Sequence, residues 1–267
     1  MVLDGLDGRR VDARELLRRL AAADLVLLGE LHDNGMHHRL RGQLIAASAA
    51  RRPAIVFEQF AETHEPITPP AQAESREEWL DRSGFDRQAW KWPLHQPVVD
   101  AAIESGRSIR GSGLAREALR SVVRDGLSAA PAHLRTLLEQ VPLDSMAQAA
   151  LDRELVAGHC GRLPENMVAG MRAAQTVRDA AMASALITAH ADGPAWLIAG
   201  NGHVRRDIAV PRLLHVITPE LTVVAVGFLE RPENGGEPSP SARAVFDLVV
   251  VTSRAARPDP CAGFQVR

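Results

Sequence analysis

The sequence predicts an α/β fold, with a mostly parallel central sheet flanked by helices and a helical insertion that forms a cap. Short continuous apolar runs such as Leu25–Leu28 and Ala195–Ala199 are typical of parallel strands buried on both faces. Segments with helical spacing of apolar residues alternate with these runs. The chain has 267 residues, 46% of them apolar, and we expect one domain over residues 1–253 followed by a loose tail over residues 254–267.

The predicted elements follow one another in a regular order. Val11–Ala23 has the spacing of a short helix, and after the strand at Leu25–Leu28 a second helix is predicted from about residue 35 to residue 50, capped by Asp33 or Asn34. Further strands are predicted at Ala54–Phe57, Ser108–Gly111, Ala195–Ala199, Leu221–Leu229 and Ala244–Thr252. The link over residues 231–243 is rich in Pro and Gly and favours an antiparallel pairing of the last two strands.

Two stretches interrupt this alternation. Residues 61–93 are polar and contain prolines, with one short helix predicted around Ser75–Arg82. Residues 115–190 have helical character throughout and end in a long helix from about Glu165 to His190. We interpret both stretches as insertions that cover one end of the sheet.

Composition excludes some classes of partner. With 31 basic and 33 acidic side chains the net charge is −2, which opposes nucleic-acid binding through bulk charge. No window approaches the roughly 20 apolar residues of a membrane span, and no leader is visible. We therefore expect a cytoplasmic protein, or a periplasmic or membrane-anchored one if a leader has been removed. Cys160 and Cys261 predict no disulfide framework, and Cys160 is interpreted as a thiolate ligand or a small buried apolar residue.

Polar residues and glycines gather where the predicted strands end. Gly29–Asn34 follows the first buried strand, Glu58 and Gln59 follow the second, and Gly200–Asp207 follows the strand at Ala195–Ala199. In open α/β sheets, ligands bind in the crevice at the carboxyl ends of the strands. The sequence therefore predicts a ligand site at this end of the sheet.

Four of these residues are the candidate metal ligands, namely Glu30, His32, Glu58 and His203. Neutral imidazole and carboxylate suit a divalent transition metal. In an enzyme, Glu30 or Glu58 would be the general base for an attacking water, and Arg178 would stabilise a developing oxyanion. The alternative is structural, with the glutamates capping helices and the histidines bonding buried carbonyls.

Two further groups are candidates for cofactor binding. His37 and His38 fall in the first turn of a predicted helix, where the positive end of the dipole favours neutral rings, or they form a surface pair. Met171 and Met182 flank Gln175 and Arg178 on the long helix. This stripe predicts a soft surface for a flat apolar ligand, or an internal salt bridge to Asp179.

The segment from Trp90 to Gln96 is the third candidate. Trp92 and His95 lie in this Pro-bounded stretch, which predicts either a wall for a planar ligand or the seam between cap and core.

Five motifs, in order, resemble the ChaN family of haem-binding, iron-regulated lipoproteins, within a wider group that includes the erythromycin esterases and the TIKI/TraB metalloprotease-like proteins. The resemblance covers about residues 24–230 and rests on Gly29-Glu30-Leu31-His32-Asp33-Asn34 with His37-His38, Phe57-Glu58-Gln59-Phe60, His159-Cys160-Gly161 with Leu163-Pro164, Gln175 with Arg178-Asp179 and Met182-Ala183, and Gly200-Asn201-Gly202-His203. It implies an α/β fold with a helical insertion, haem or a related tetrapyrrole as ligand, and a link to iron acquisition or handling.

The resemblance also implies how haem is held. Family members hold haem between two subunits through a tyrosine, which implies a homodimer, but this chain has no Tyr. His95 stands where a family member has that tyrosine, and imidazole is a good axial ligand. The alternative function is a metal-dependent hydrolase, in which His32, His203 and a strand-end glutamate hold the ion.

Overall fold

The central sheet is built from short apolar strands. The computed structural model describes residues 1–106, 108–259 and 261–262. The strands in these residues are β1 (Val2–Asp4), β2 (Arg10–Val11), β3 (Leu25–Leu28), β4 (Ala54–Ala61), β5 (Ile109–Gly113), β6 (Ala195–Ile198), β7 (Val223–Glu230) and β8 (Leu248–Thr252). They form one sheet in the order β2-β1-β8-β7-β3-β6-β4-β5. The predicted mixed α/β sheet is therefore confirmed.

The antiparallel part of the sheet differs from the prediction. The last two strands, β7 and β8, pair in parallel, from Val226 opposite Leu248 to Glu230 opposite Thr252. The prediction that they form an antiparallel pair is wrong, because the chain between them turns back to the starting end of the sheet before β8 begins. Instead β1 pairs antiparallel with both β8 and β2. Strands of three and two residues carry too little periodicity to be predicted.

Helices cover both faces of the sheet. Those in the described residues are α1 (Ala13–Ala22), α2 (Gly35–Ala47), α3 (Arg76–Arg82), α4 (Gln96–Ser105), α5 (Arg116–Asp125), α6 (Ala132–Gln140), α7 (Ser145–Gly158), α8 (Glu165–His190), α9 (Val210–Ile217) and α10 (Pro240–Arg243). Leu25 and Leu27 face a core shared with α5, α6, α8 and α9. Val26 and Leu28 face a second core, shared with the helices α1 to α4, because successive strand residues point to opposite faces.

Local sequence explains where the helices that support the site begin. Asn34 caps α2 by accepting a hydrogen bond from the backbone of Met36 at 3.0 Å. Ser75 and Glu78 form a capping box at the start of α3. The long helix α8 runs from Glu165 to His190 as predicted. No helix in the described part of the chain is long and apolar enough to cross a membrane.

The C-terminal segment is held by a covalent bond and by ion pairs. Cys160 and Cys261, 101 residues apart in the sequence, form a disulfide. The interpretation of Cys160 as a thiolate ligand or a buried apolar residue is therefore wrong, because spacing along the chain gives no sign of this proximity. Arg257 donates to Asp33 at 2.7 Å and also pairs with Glu230. These bonds place the tail beside the loop that follows β3.

Candidate functional site

Two buried carboxylates mark the carboxyl ends of β3 and β4, the parallel strands on either side of β6. Glu30 follows β3 and Glu58 lies within β4, and their exposed fractions are 2% and 4%. Glu58 points towards α8, where it pairs with Arg178, whereas Gln59 donates to Glu30 at 3.2 Å on the other face. The sheet end therefore separates two polar clusters, one around each glutamate.

The first cluster surrounds Glu30 with imidazoles and a guanidinium. Its Oε1 lies 2.5 Å from Nδ1 of His32 and 3.4 Å from Nε2 of His95. Its Oε2 pairs with Arg41 and lies 3.2 Å from Nδ1 of His38. Arg41, His38 and His95 are fully buried, so this carboxylate is neutralised by a cation inside the protein.

Burial sets the protonation of this cluster. It lowers the pKa of His38 to about 4 and that of His95 to about 2, because desolvation disfavours the charged ring. It also lowers the pKa of Arg41 to about 9, which leaves that guanidinium charged at neutral pH. The two rings are neutral, and Arg41 supplies the positive charge that faces Glu30.

The second cluster joins Glu58 to α8. Glu58 accepts from the backbone of Gly200 at 2.8 Å and lies 3.5 Å from Nε2 of His203. Nδ1 of His203 lies 2.6 Å from Asp179. Burial raises the pKa of Glu58, but His203 and Arg178 outweigh it and hold that pKa well below its usual range. Burial lowers the pKa of His203, but Glu58 and Asp179 outweigh it and raise that pKa.

His32 lies between the clusters and reaches the surface. Half of its side chain is exposed, and its ring meets the ring of Trp90 edge to face with centroids 5.0 Å apart. A Cβ at Gly200 would lie 2.9 Å from Cε1 of His32, so a larger residue there would displace the ring of His32. The pKa of His32 is lowered, chiefly by desolvation. Among the described residues, none hydrogen-bonds to its Nε2.

A cavity of about 500 Å³ opens beside Trp90 at the ends of β4 and β5. Phe60, Trp90 and Leu119 contribute apolar lining, and Arg116 and Arg178 contribute positive charge. This volume is within the range of small-molecule sites. Glu58, Glu62 and Asp86 line it as well. Arg178 pairs with Glu58 and Arg116 with Asp86, so the cavity combines an aromatic wall with paired charges.

Several predicted cofactor residues have other contacts. His37 is buried, accepts from the backbone of Leu31 at 3.0 Å and lies 2.9 Å from Oγ1 of Thr252. Trp92 donates a hydrogen bond to Glu77 at 3.0 Å and packs on Phe85. It therefore lies at the contact between residues 76–95 and the core.

The predicted methionine stripe is divided between two environments. Met182 is 1% exposed and belongs to the core under the sheet, whereas Met171 is half-buried one turn before Gln175. Gln175 lies 3.2 Å from Nδ1 of His203, and Arg178 pairs with Glu58. The polar members of the stripe therefore reach the site, and Met182 does not.

The four predicted metal ligands converge, but in two groups. Glu30 and His32 form a possible ion site with His95, with one ligand atom of each within 4.8 Å of the others. Glu58 and His203 belong to the second cluster. Sequence reasoning missed Arg41 as the partner of Glu30, although its position three residues after His38 places both on one face of α2.

Comparisons with known proteins agree with this architecture. Residues 16–214 match the family described as haem-binding uptake, Tiki superfamily, ChaN. A solved structure of cofacial haem binding to ChaN of Campylobacter jejuni is similar to this chain, with a TM-score of 0.72 and 20% sequence identity, over 93% of this chain and 94% of that one. No curated protein matches the chain. The predicted family is confirmed by the match over most of the sequence: this chain belongs to the ChaN family.

Proposed function

We propose that this protein binds haem at the strand-end site and that the exposed imidazole of His32 would hold the haem iron. The observation that carries the proposal is how the two nitrogens of this ring are bonded. Its Nδ1 lies 2.5 Å from a buried carboxylate oxygen of Glu30, and among the described residues its Nε2 has no hydrogen bond. A carboxylate on one ring nitrogen fixes the tautomer and raises the basicity of the other, as in many metal-bound histidines.

The surroundings of His32 fit a tetrapyrrole. Trp90 packs against the ring of His32 and also lines the neighbouring cavity, so it offers an aromatic face or edge to a flat macrocycle. Arg116 and Arg178 line the same cavity beside their partners Asp86 and Glu58, and the N–H groups that these pairs leave free would donate to propionate carboxylates. Haem would supply an iron centre there, and His32 would hold that iron through a ring nitrogen. The chain supplies the ligand, its orientation and the apolar wall.

His95 remains the ligand expected from the family resemblance. Its side chain is fully buried, meets the ring of Trp90 edge to face, and lies 3.4 Å from Glu30 through Nε2. Half of the His32 side chain is exposed, whereas the side chain of His95 is not exposed at all, so His32 is the more accessible ligand. We therefore assign His95 a supporting role beneath the site and let the experiment compare the two histidines.

A haem titration followed by the Soret band tests this assignment. We expect a saturable shift in the wild type, its loss in His32→Ala with return on adding imidazole, and no change in His215→Ala, a control that removes an exposed histidine of α9. Loss in His95→Ala without loss in His32→Ala would reverse the assignment. No saturable shift in the wild type would overturn the proposal.

The oligomer and the compartment are also proposals. The predicted homodimer would let two copies face each other across haem, and the mass of the haem-loaded protein in solution tests it. The disulfide between Cys160 and Cys261 favours an oxidising compartment, since such bonds are rare in reducing cytosol. This supports the periplasmic or membrane-anchored alternative over the cytoplasmic one.

A metal-dependent hydrolase is the second candidate, because Glu30, His32 and His95 offer ligand atoms within 4.8 Å of one another. Arg41 and Arg178 already neutralise the two glutamates, which reduces the attraction for a divalent cation. Metal analysis of the purified protein separates the candidates. One equivalent of transition metal, lost in His32→Ala, together with no haem shift, would favour the hydrolase.

A further inference from the structure

A second cavity, separate from the strand-end site, contains a buried cation. It measures about 300 Å³ and lies between the edge strand β5, the loop after β4, the start of α6 and the C-terminal part of α8. Arg110 of β5 lines it and is 8% exposed. Its Nη1 donates to the backbone oxygen of His64 at 2.6 Å, which anchors the guanidinium against the loop.

The guanidinium of Arg110 has hydrogen-bond partners for only some of its N–H groups. Its Nε is buried without a hydrogen-bond partner. Across the described residues, no carboxylate oxygen lies within salt-bridge distance of Arg110, whereas the buried Arg41 has Glu30 as its partner. A buried charge without a counter-ion is costly, and a bound anion would supply both the opposite charge and an acceptor for Nε.

The other lining groups also favour an anion. Thr63, Ser184 and Thr188 place hydroxyl groups around the cavity, and the hydroxyl of Ser184 makes no hydrogen bond with any described residue. His133 lies in the first turn of α6, where the positive end of the helix dipole favours negative charge. One lining group opposes it: Glu62 is partly exposed, and its carboxylate lies 3.9 Å from Nε2 of His133.

We propose that this cavity binds a small oxyanion, a phosphate or a carboxylate group, between the buried guanidinium of Arg110 and the hydroxyl group of Ser184. The site does not depend on haem binding, because Arg110 lies in neither strand-end cluster. Arg110 would supply planar, charge-assisted donors, and the hydroxyl group would supply a neutral one. The volume is at the lower end of the range for small-molecule sites, so it admits an ion or the terminal group of a larger molecule.

Calorimetric titration of the full chain with inorganic phosphate, and separately with acetate at the same ionic strength, tests the proposal. We expect saturable binding of at least one of them, weakened about tenfold or more in Arg110→Gln, since a hydrogen bond to a charged group is removed. Binding of phosphate alone or of acetate alone identifies the group that the cavity prefers. Arg124→Gln is the control, because Arg124 is exposed and pairs with Asp125.

A second variant keeps the result interpretable if Arg110→Gln unfolds. Ser184→Ala removes only the hydroxyl group facing the cavity and suits a helix, and we expect it to weaken the anion while leaving the Soret response to haem unchanged. Absence of saturable binding in the wild type, or equal binding in the wild type and both variants, would overturn the anion site. A wild-type protein that binds the anion but gives no Soret response to haem would overturn only the proposed haem function.

Discussion

Replacing Arg41 by methionine tests the electrostatic account of the Glu30 cluster. Arg41 is fully buried, pairs with Glu30 and lies 2.7 Å from Nδ1 of His38. Methionine keeps most of the length and apolar volume, so the main change is the lost charge. Glu30 would then remain buried with neutral neighbours, and breaking a buried pair in this way costs about 3–5 kcal/mol of unfolding free energy.

The expected change is large enough to measure in two ways. At about 2–4 °C per kcal/mol for a chain of this size, the unfolding temperature should fall by roughly 6–20 °C. Urea unfolding followed by circular dichroism should give a lower midpoint with an unchanged slope. The exposed Arg124 pairs with Asp125 at the surface, and Arg124→Met should leave the midpoint unchanged.

The double variant Glu30→Gln/Arg41→Met makes the test specific. Replacing both members of a buried pair is often close to neutral, so the double variant should be more stable than Arg41→Met alone. An Arg41→Met protein within about 0.5 kcal/mol of the wild type would refute the reasoning. The reasoning also fails if the effects of the two single substitutions simply add in the double variant.

The remaining predictions concern pH and the disulfide. Burial lowers the pKa of His37 and His38 from 6.5 to about 4, so between these values the unfolded chain binds more protons than the folded one. The unfolding free energy should therefore fall on acidification from pH 6.5 to pH 4, by up to about 1.4 kcal/mol per pH unit for each histidine, and a flat profile in urea titrations would contradict this. The cysteines of the disulfide are 101 residues apart, and a Cys160→Ser/Cys261→Ser variant should be about 2–4 kcal/mol less stable. Equal urea midpoints for the variant and the wild type would contradict this prediction.

The sequence predicts the parts of this protein that depend on local pattern. The four residues of β3 and of β6 are continuous apolar runs because both of their faces are covered, and such runs are recognisable without a structure. The convergence of Glu30, His32, Glu58 and His203 could also be predicted, since parallel strands end at one edge of the sheet.

The division of the site could not be predicted in the same way. Whether Glu58 points to α8 or towards Glu30 depends on the strand register and on the irregular pairing of β4 with β5 after Phe57, and a shift of one residue reverses the face. The pairing of Arg41 with Glu30 depends on how α2 packs over the sheet. The disulfide and the pairing of β1 with β8 are contacts between distant parts of the chain that leave no periodic signal.

The position of β8 between β7 and β1 has a consequence for the order of assembly during synthesis. β1 and β2 precede the other strands of the sheet in the chain, but β1 can join the parallel strands only through β8, which follows nearly 250 residues later. A two-stranded hairpin is marginally stable by itself. Residues 1–11 can therefore join the sheet only after its parallel strands have formed. The docking of β1 against β8 then completes the sheet.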